Sequence, residues 1–174
     1  MESTIEKLTF RSPRIDDAVA IWQLIRRCPP LDVNSSYAYL LLCHHFAGTC
    51  VVAESDGEVV GFVSGYVPPT QPETFFVWQV AVDSRMRGRR LGRNMIVELL
   101  ARARDCQFLE TTVSPSNSAS RRMFDQVADA MGAQIEEREL FTAAHLAEDE
   151  HEEERLLVIG PFHRKGERQK ARGE

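Results

Sequence analysis

Residues 80–100, VAVDSRMRGRRLGRNMIVELL, hold Arg85, Arg87, Arg89, Arg90 and Arg93, with Gly88 and Gly92 among them. An apolar run precedes the cluster and an amphipathic run follows it. The arginines therefore sit where a strand passes into a helix. Such a junction suits an anion, because the first N–H groups of a helix lack internal partners and the helix dipole adds partial positive charge. Gly88 and Gly92 would let the backbone approach a phosphate closely. A pyrophosphate, with its several oxygens, fits this cluster better than a lone carboxylate does. The spacing alone serves a solvated basic helix start equally well. The Gly-x-Gly-x-x-Gly pattern is absent, since only Gly88-x-x-x-Gly92 occurs, and there is no Gly-Lys-Ser/Thr.

The chain as a whole is acidic, with a net charge of −5 over 174 residues. That balance disfavours general nucleic-acid binding and makes the arginine cluster a local feature. The length suits one domain with its own core, spanning residues 1–162. Residues 163–174, HRKGERQKARGE, form a charged tail without an apolar anchor, which predicts disorder. Cys28, Cys43, Cys50 and Cys106 show no Cys-x-x-Cys spacing. They read as reduced, mostly buried thiols of a cytoplasmic protein, and no metal site is expected. The N-terminus lacks the apolar stretch of a signal peptide, and no run approaches membrane-spanning length.

The elements that must position the arginine turn follow from periodicity. KLTFR predicts a short strand, and residues 15–28 a helix stopped by Pro29 and Pro30. The loop LDVNSS leads into a second helix, YAYLLLCHHF, whose His44 and His45 read as structural. Residues 49–67 predict a hairpin turning at Asp56-Gly57. TFFVWQVAVD is nearly all apolar and predicts a central strand buried on both faces. A helix over 92–106, a strand over 108–113 and a capped helix ending near Gly132 come next. QIEERELF and RLLVIGPF predict two late strands on either side of an acidic run. The order β-α-α-β-β-β-α-β-α-β-β implies an α/β fold with a mixed, largely antiparallel sheet flanked by helices.

Arg87-Gly88-Arg89-Arg90-Leu91-Gly92 resembles the R/Q-x-x-G-x-G/A turn of GNAT acetyltransferases, and the order of elements matches that fold over nearly the whole chain. The resemblance implies that this turn, with Arg93, holds the pyrophosphate of acetyl-CoA. It also implies that Val80, Ala81 and Val82 offer backbone groups to the pantetheine arm and the acetyl carbonyl. Asn117 stands where the family has an asparagine opening the next helix, which places Ser120 and Phe124 at the cofactor too. The sequence departs from the pattern twice: Arg90 occupies the central glycine position, and Phe124 the position of a tyrosine often assigned as acid to the leaving thiolate. Three longer stretches, residues 31–54, 74–83 and 109–124, resemble more closely the L-2,4-diaminobutyrate acetyltransferases of ectoine biosynthesis. That resemblance implies a cytoplasmic homodimer that acetylates a γ-amino group.

Such a reaction must hold a thioester, place an amine beside its carbonyl carbon, remove a proton and stabilise an oxyanion. An alkyl amine has a pKa of about 10, so it arrives as an ammonium ion and needs a base or a water relay. A small diamino acid calls for carboxylates near its cationic centres. The resemblance places Asp32, Trp78, His151 and Glu154 around it, with Tyr37, and makes His151 and Glu154 the catalytic candidates. By residue type alone, Asp32 equally suits a helix cap, Trp78 core packing and Glu154 a solvated surface. Two alternatives remain open at this level: a GNAT acetyltransferase for another small amine, and a non-catalytic acyl-CoA-binding protein.

Overall fold

The computed structural model describes residues 8–146 and 152–162, so the tail at 163–174 lies outside the described residues. One seven-stranded sheet runs through the chain: β1 (Leu8–Arg11), β2 (Val51–Ser55), β3 (Glu58–Tyr66), β4 (Thr74–Val82), β5 (Phe108–Val113), β6 (Gln134–Phe141) and β7 (Glu154–Gly160). Its spatial order is β1-β2-β3-β4-β5-β7-β6. Every neighbouring pair is antiparallel except β4 and β5. Four helices flank it: α1 (Ala18–Arg26), α2 (Ser36–His45), α3 (Leu91–Arg102) and α4 (Ser118–Met131). The mixed, largely antiparallel sheet agrees with the expectation from sequence.

Two cores lie on opposite faces of the sheet. Ile21, Leu24 and Ile25 of α1 and Tyr39 of α2 pack on Val52, Phe62 and Ala81. Met95, Ile96 and Leu99 of α3, with Phe124 and Val127 of α4, pack on Val63, Val77, Leu109 and Leu157. The apolar residues recur at helical spacing in α1, α3 and α4, which is why each buries one stripe. α2 is apolar on more than one side: Tyr39, Leu42 and Cys43 are buried, while Tyr37, Leu40 and Leu41 are exposed. His44 and His45 face solvent in its last turn, not the core.

Two departures from the sequence reading shape the site. β4 is not buried on both faces, since Trp78 is 47% exposed. The register pairs Ser64 with Gln79 and then Gly65 with Val77, so Trp78 is an extra residue, a β-bulge. The bulge inverts the alternation: Val77 and Val80 both pack toward α3, while Ala81 packs toward α1. Secondly, β4 pairs with β5 only over Thr74–Phe108, Phe75–Leu109 and Phe76–Glu110. Beyond Phe76 the ladder ends, and a cleft opens at the C-terminal end of β4. β7 enters between β5 and β6 and completes the far side of the sheet.

Candidate active site

One wall of the cleft is the turn between β4 and α3. Asp83 opens it: its side chain accepts from the backbone N–H of Arg85 at 3.0 Å and from Arg85 Nε at 3.1 Å. The Arg85 guanidinium holds the Asp83 carboxyl below the usual carboxylate range. Gly88 has φ +79°, a conformation that favours glycine. Arg90 caps α3 in the left-handed region, at φ 58° and ψ 25°, with no side-chain capping bond. The first bond of the helix runs from the N–H of Asn94 to the carbonyl of Arg90. The N–H groups of Leu91, Gly92 and Arg93 thus precede the helical ladder.

These groups border a cavity of about 660 Å³. Val80 and Val82 form one side of it, Arg87, Gly88, Arg90 and Arg93 another, and Asn117, Ser120 and Arg122 a third. Asn117 caps α4, its Oδ1 accepting from the N–H of Ser120 at 3.1 Å. Cys28, Pro29 and Pro30 close the near side. In the sequence these last residues marked only the end of a helix. Gly92 lines this cavity and has a packing role as well. A Cβ there would fall 2.6 Å from Met123 Sδ, so the missing side chain lets α3 pack on α4.

A second cavity, of about 760 Å³, adjoins the first and shares Pro30, Leu31, Val80, Asn117, Ser120 and Met123 with it. Its walls carry Asp32, Asn34, Trp78, Gln79, Glu152 and Glu154, and Phe124, 3% exposed, lines it too. The Glu152 carboxylate accepts from the N–H of Ser116 at 3.0 Å. Asp32 does not cap α2, because Ser35 does so by accepting from the N–H of Ala38.

The two cavities divide charge between them. Among the described residues lining the first, Arg87, Arg90, Arg93 and Arg122 are the ionisable groups apart from the Cys28 thiol, and no carboxylate joins them. The second is lined by Asp32, Glu152 and Glu154, with no arginine, lysine or histidine among its described residues. A polyanion and a cation can therefore meet at the shared wall formed by Val80, Asn117 and Ser120.

The Acetyltransferase (GNAT) family profile matches residues 18–128. An L-2,4-diaminobutyric acid acetyltransferase of Bordetella parapertussis is 54% identical over 88% of this chain and 84% of its own length. The chain belongs to the L-2,4-diaminobutyric acid acetyltransferase family. A second member, from Chromohalobacter salexigens, is 47% identical over 92% of this chain and 84% of its own length. A solved diaminobutyrate acetyltransferase EctA from Paenibacillus lautus, in complex with its substrate L-2,4-diaminobutyric acid and coenzyme A, superposes with a TM-score of 0.86. It is 40% identical, and the match covers 92% of this chain and 98% of that one.

Most of the residues expected from the resemblance to diaminobutyrate acetyltransferases gather at the two cavities. Asp32, Trp78 and Glu154 share the acidic cavity, although they come from three distant parts of the chain. Phe124 lines this cavity and not the basic one. Three residues are placed elsewhere. Tyr37 is 65% exposed on the first turn of α2 and lines neither cavity. Arg89 is exposed outside both walls, and the Ala81 side chain turns into the core beneath α1, leaving only its backbone on the strand. His151 lies outside the described residues. Sequence reasoning missed Glu152, Asn34, Gln79 and Arg122. Glu152 alone carried a signal, as a second carboxylate two residues before Glu154. Among the described residues, no group of three or more His, Cys, Asp or Glu is arranged to hold a metal.

Proposed function

We propose that this protein transfers the acetyl group of acetyl-CoA to the γ-amino group of L-2,4-diaminobutyrate, the acetylation that leads toward ectoine. The observation that carries this reading is the charge division, a basic cavity and an acidic one meeting at the end of β4. The pyrophosphate lies against the N-terminus of α3, with Arg87, Gly88, Arg90, Leu91, Gly92 and Arg93 around it. The backbone of Val80 and Val82 carries the thioester arm to the mouth of the acidic cavity.

Asp32 and Glu154 hold the cationic amino acid, and Trp78 walls its pocket beside the thioester. Carboxylates are required there because a dication in a partly dry site needs compensating charge. Glu154, or His151 through water, takes the proton from the γ-ammonium. The amine then attacks the carbonyl carbon: a C–N bond forms, the C–S bond breaks, and the CoA thiolate leaves. Phe124 offers no hydroxyl, so the second nitrogen proton, released as the amide forms, passes through water to the thiolate. Mass spectrometry of the product from acetyl-CoA and diaminobutyrate tests the reading. One acetyl group on the γ nitrogen is expected. Acetylation of the α nitrogen, or faster turnover of putrescine or lysine, would refute it.

The working unit is a homodimer whose second copy covers the outer face of α2. Exposed Tyr37, Leu40 and Leu41 support this, because a cluster of exposed large apolar side chains marks a contact surface. Sedimentation velocity checks it: Leu41→Glu should yield monomer where the wild type is dimeric. No helix among the described residues is long and apolar enough to cross a membrane. The four described cysteines are buried and free, which supports a reducing, cytoplasmic location.

A further inference from the structure

A chain of buried polar groups runs from Gln79 on the wall of the acidic cavity into the layer behind it, and the acetyl-transfer chemistry does not use it. The bulge at Trp78 places the backbone N–H of Gln79 against the Ser64 hydroxyl, which accepts at 3.2 Å. The Gln79 carboxamide then bridges to the loop before α2. Its Nε2 donates to the backbone carbonyl of Asp32 at 2.8 Å, and its Oε1 accepts from the Tyr39 hydroxyl at 3.3 Å. The Tyr39 oxygen accepts in turn from the backbone N–H of Asn34 at 3.4 Å. Ser64 and Tyr39 are fully buried, and Gln79 is 4% exposed.

Buried glutamine and tyrosine hydroxyl groups are costly in an apolar layer unless every partner is met, so such a chain specifies one geometry. The loop it reaches has little else to fix it. Among the described residues, no backbone–backbone hydrogen bond involves residues 32–34. Two side chains, one from β4 and one from α2, thus grip the segment that carries the Asp32 carboxylate. The grip starts at the bulge, so it also sets the distance from Asp32 to Trp78.

We propose that Gln79 and Tyr39 are positioning residues that set acceptor selectivity by fixing the Asp32 loop against the bulge of β4. This rests on the functional reading above for the role of Asp32. A carboxylate that moves by even half an ångström no longer matches one chain length of diamino acid. Loss of the grip therefore weakens diaminobutyrate and lets a longer homologue compete, while the basic cavity is untouched.

The test is steady-state kinetics of Gln79→Met and Tyr39→Phe with diaminobutyrate, ornithine and acetyl-CoA. The KM for diaminobutyrate should rise about tenfold in the first and about threefold in the second; each loses two hydrogen bonds, but only Gln79 holds the Asp32 carbonyl itself. The preference for diaminobutyrate over ornithine should shrink, and the KM for acetyl-CoA should stay within about twofold. In an Asp32→Asn background, Gln79→Met should add no further loss, because both act through one carboxylate. An unchanged KM for diaminobutyrate, an equal rise for both substrates, or additive losses with Asp32→Asn would overturn the proposal. Tyr39→Phe keeps the ring and the packing, so it decides the question if Gln79→Met does not fold. Failure of the wild type to acetylate diaminobutyrate would sink the functional reading alone. The same KM comparison is then made with whichever amine the wild type accepts.

Discussion

Arg90 shows how one residue can serve opposing demands. It occupies a left-handed position that favours glycine, and it brings a guanidinium to the basic cavity. Such a backbone position costs a non-glycine residue about 1 kcal/mol or more. Arg90→Gly should therefore melt above Arg90→Ala in calorimetry. Both variants, and Arg87→Ala, should raise the KM for acetyl-CoA about tenfold or more, since a charge-assisted hydrogen bond contributes about 1.5–3 kcal/mol. Unchanged acetyl-CoA affinity in all three would remove the turn from the cofactor site. The acidic cavity makes the mirror-image prediction. Asp32→Asn and Glu154→Gln keep size and remove charge. They should raise the KM for diaminobutyrate about tenfold or abolish turnover, with acetyl-CoA still binding normally. Full activity at low diaminobutyrate would return Glu154 to the solvated surface.

At the scale of elements, the approach of α3 to α4 depends on Gly92. A methyl group there meets the end of Met123, a flexible side chain that also lines both cavities. Gly92→Ala should cost about 1 kcal/mol or less, since the Met123 thioether can swing aside and alanine suits a helix better than glycine. Met123→Ala in the same background should recover part of that melting temperature; no recovery would place the strain elsewhere. The caps of α4 needed no such neighbours to be legible. Asn117 at its start and Gly132, left-handed at its end, both act within a few residues of sequence; local pattern located Gly132, and the family resemblance pointed to Asn117. α3 ended earlier than its pattern, at Arg102 rather than near Cys106. There the chain must turn back to bury Cys106 and to start β5 beside Glu73, contacts that periodicity does not carry.

At the scale of the whole molecule, long-range ion pairs tie the first strand to the rest. Arg11 on β1 bonds Asp17 before α1 and Glu54 on β2. Its guanidinium holds the Asp17 carboxyl below the usual range. A depressed carboxylate stabilises the fold above its unfolded value of about 3.9, and that contribution is lost as pH falls through the lower folded value. The melting temperature should therefore drop below about pH 4. Arg11→Met should melt lower than the wild type near neutrality, with a smaller further loss on acidification. Equal acid losses in the two proteins would show that other carboxylates set the acid limit.

The class of fold, the order of elements and the arginine-bearing turn at a helix start were legible from residue order alone. These rest on interactions within a few residues: periodicity, caps and the orphan N–H groups of α3. The sequence's resemblance to a known family named Asp32, Trp78 and Glu154, but nothing in their spacing brought them together. Tertiary structure decided that. β4 pairs with β5 over only three positions, β7 inserts between β5 and β6, and a single extra residue at Trp78 inverts the faces of the strand. Each of these is a pairing between distant segments, whose register depends on packing across the whole sheet. The same pairings opened the cleft, divided basic from acidic lining and set Gln79 beneath the Asp32 loop. They also left Tyr37 on an exposed helix face and Arg89 outside both cavities, positions that neighbours in sequence could not reveal.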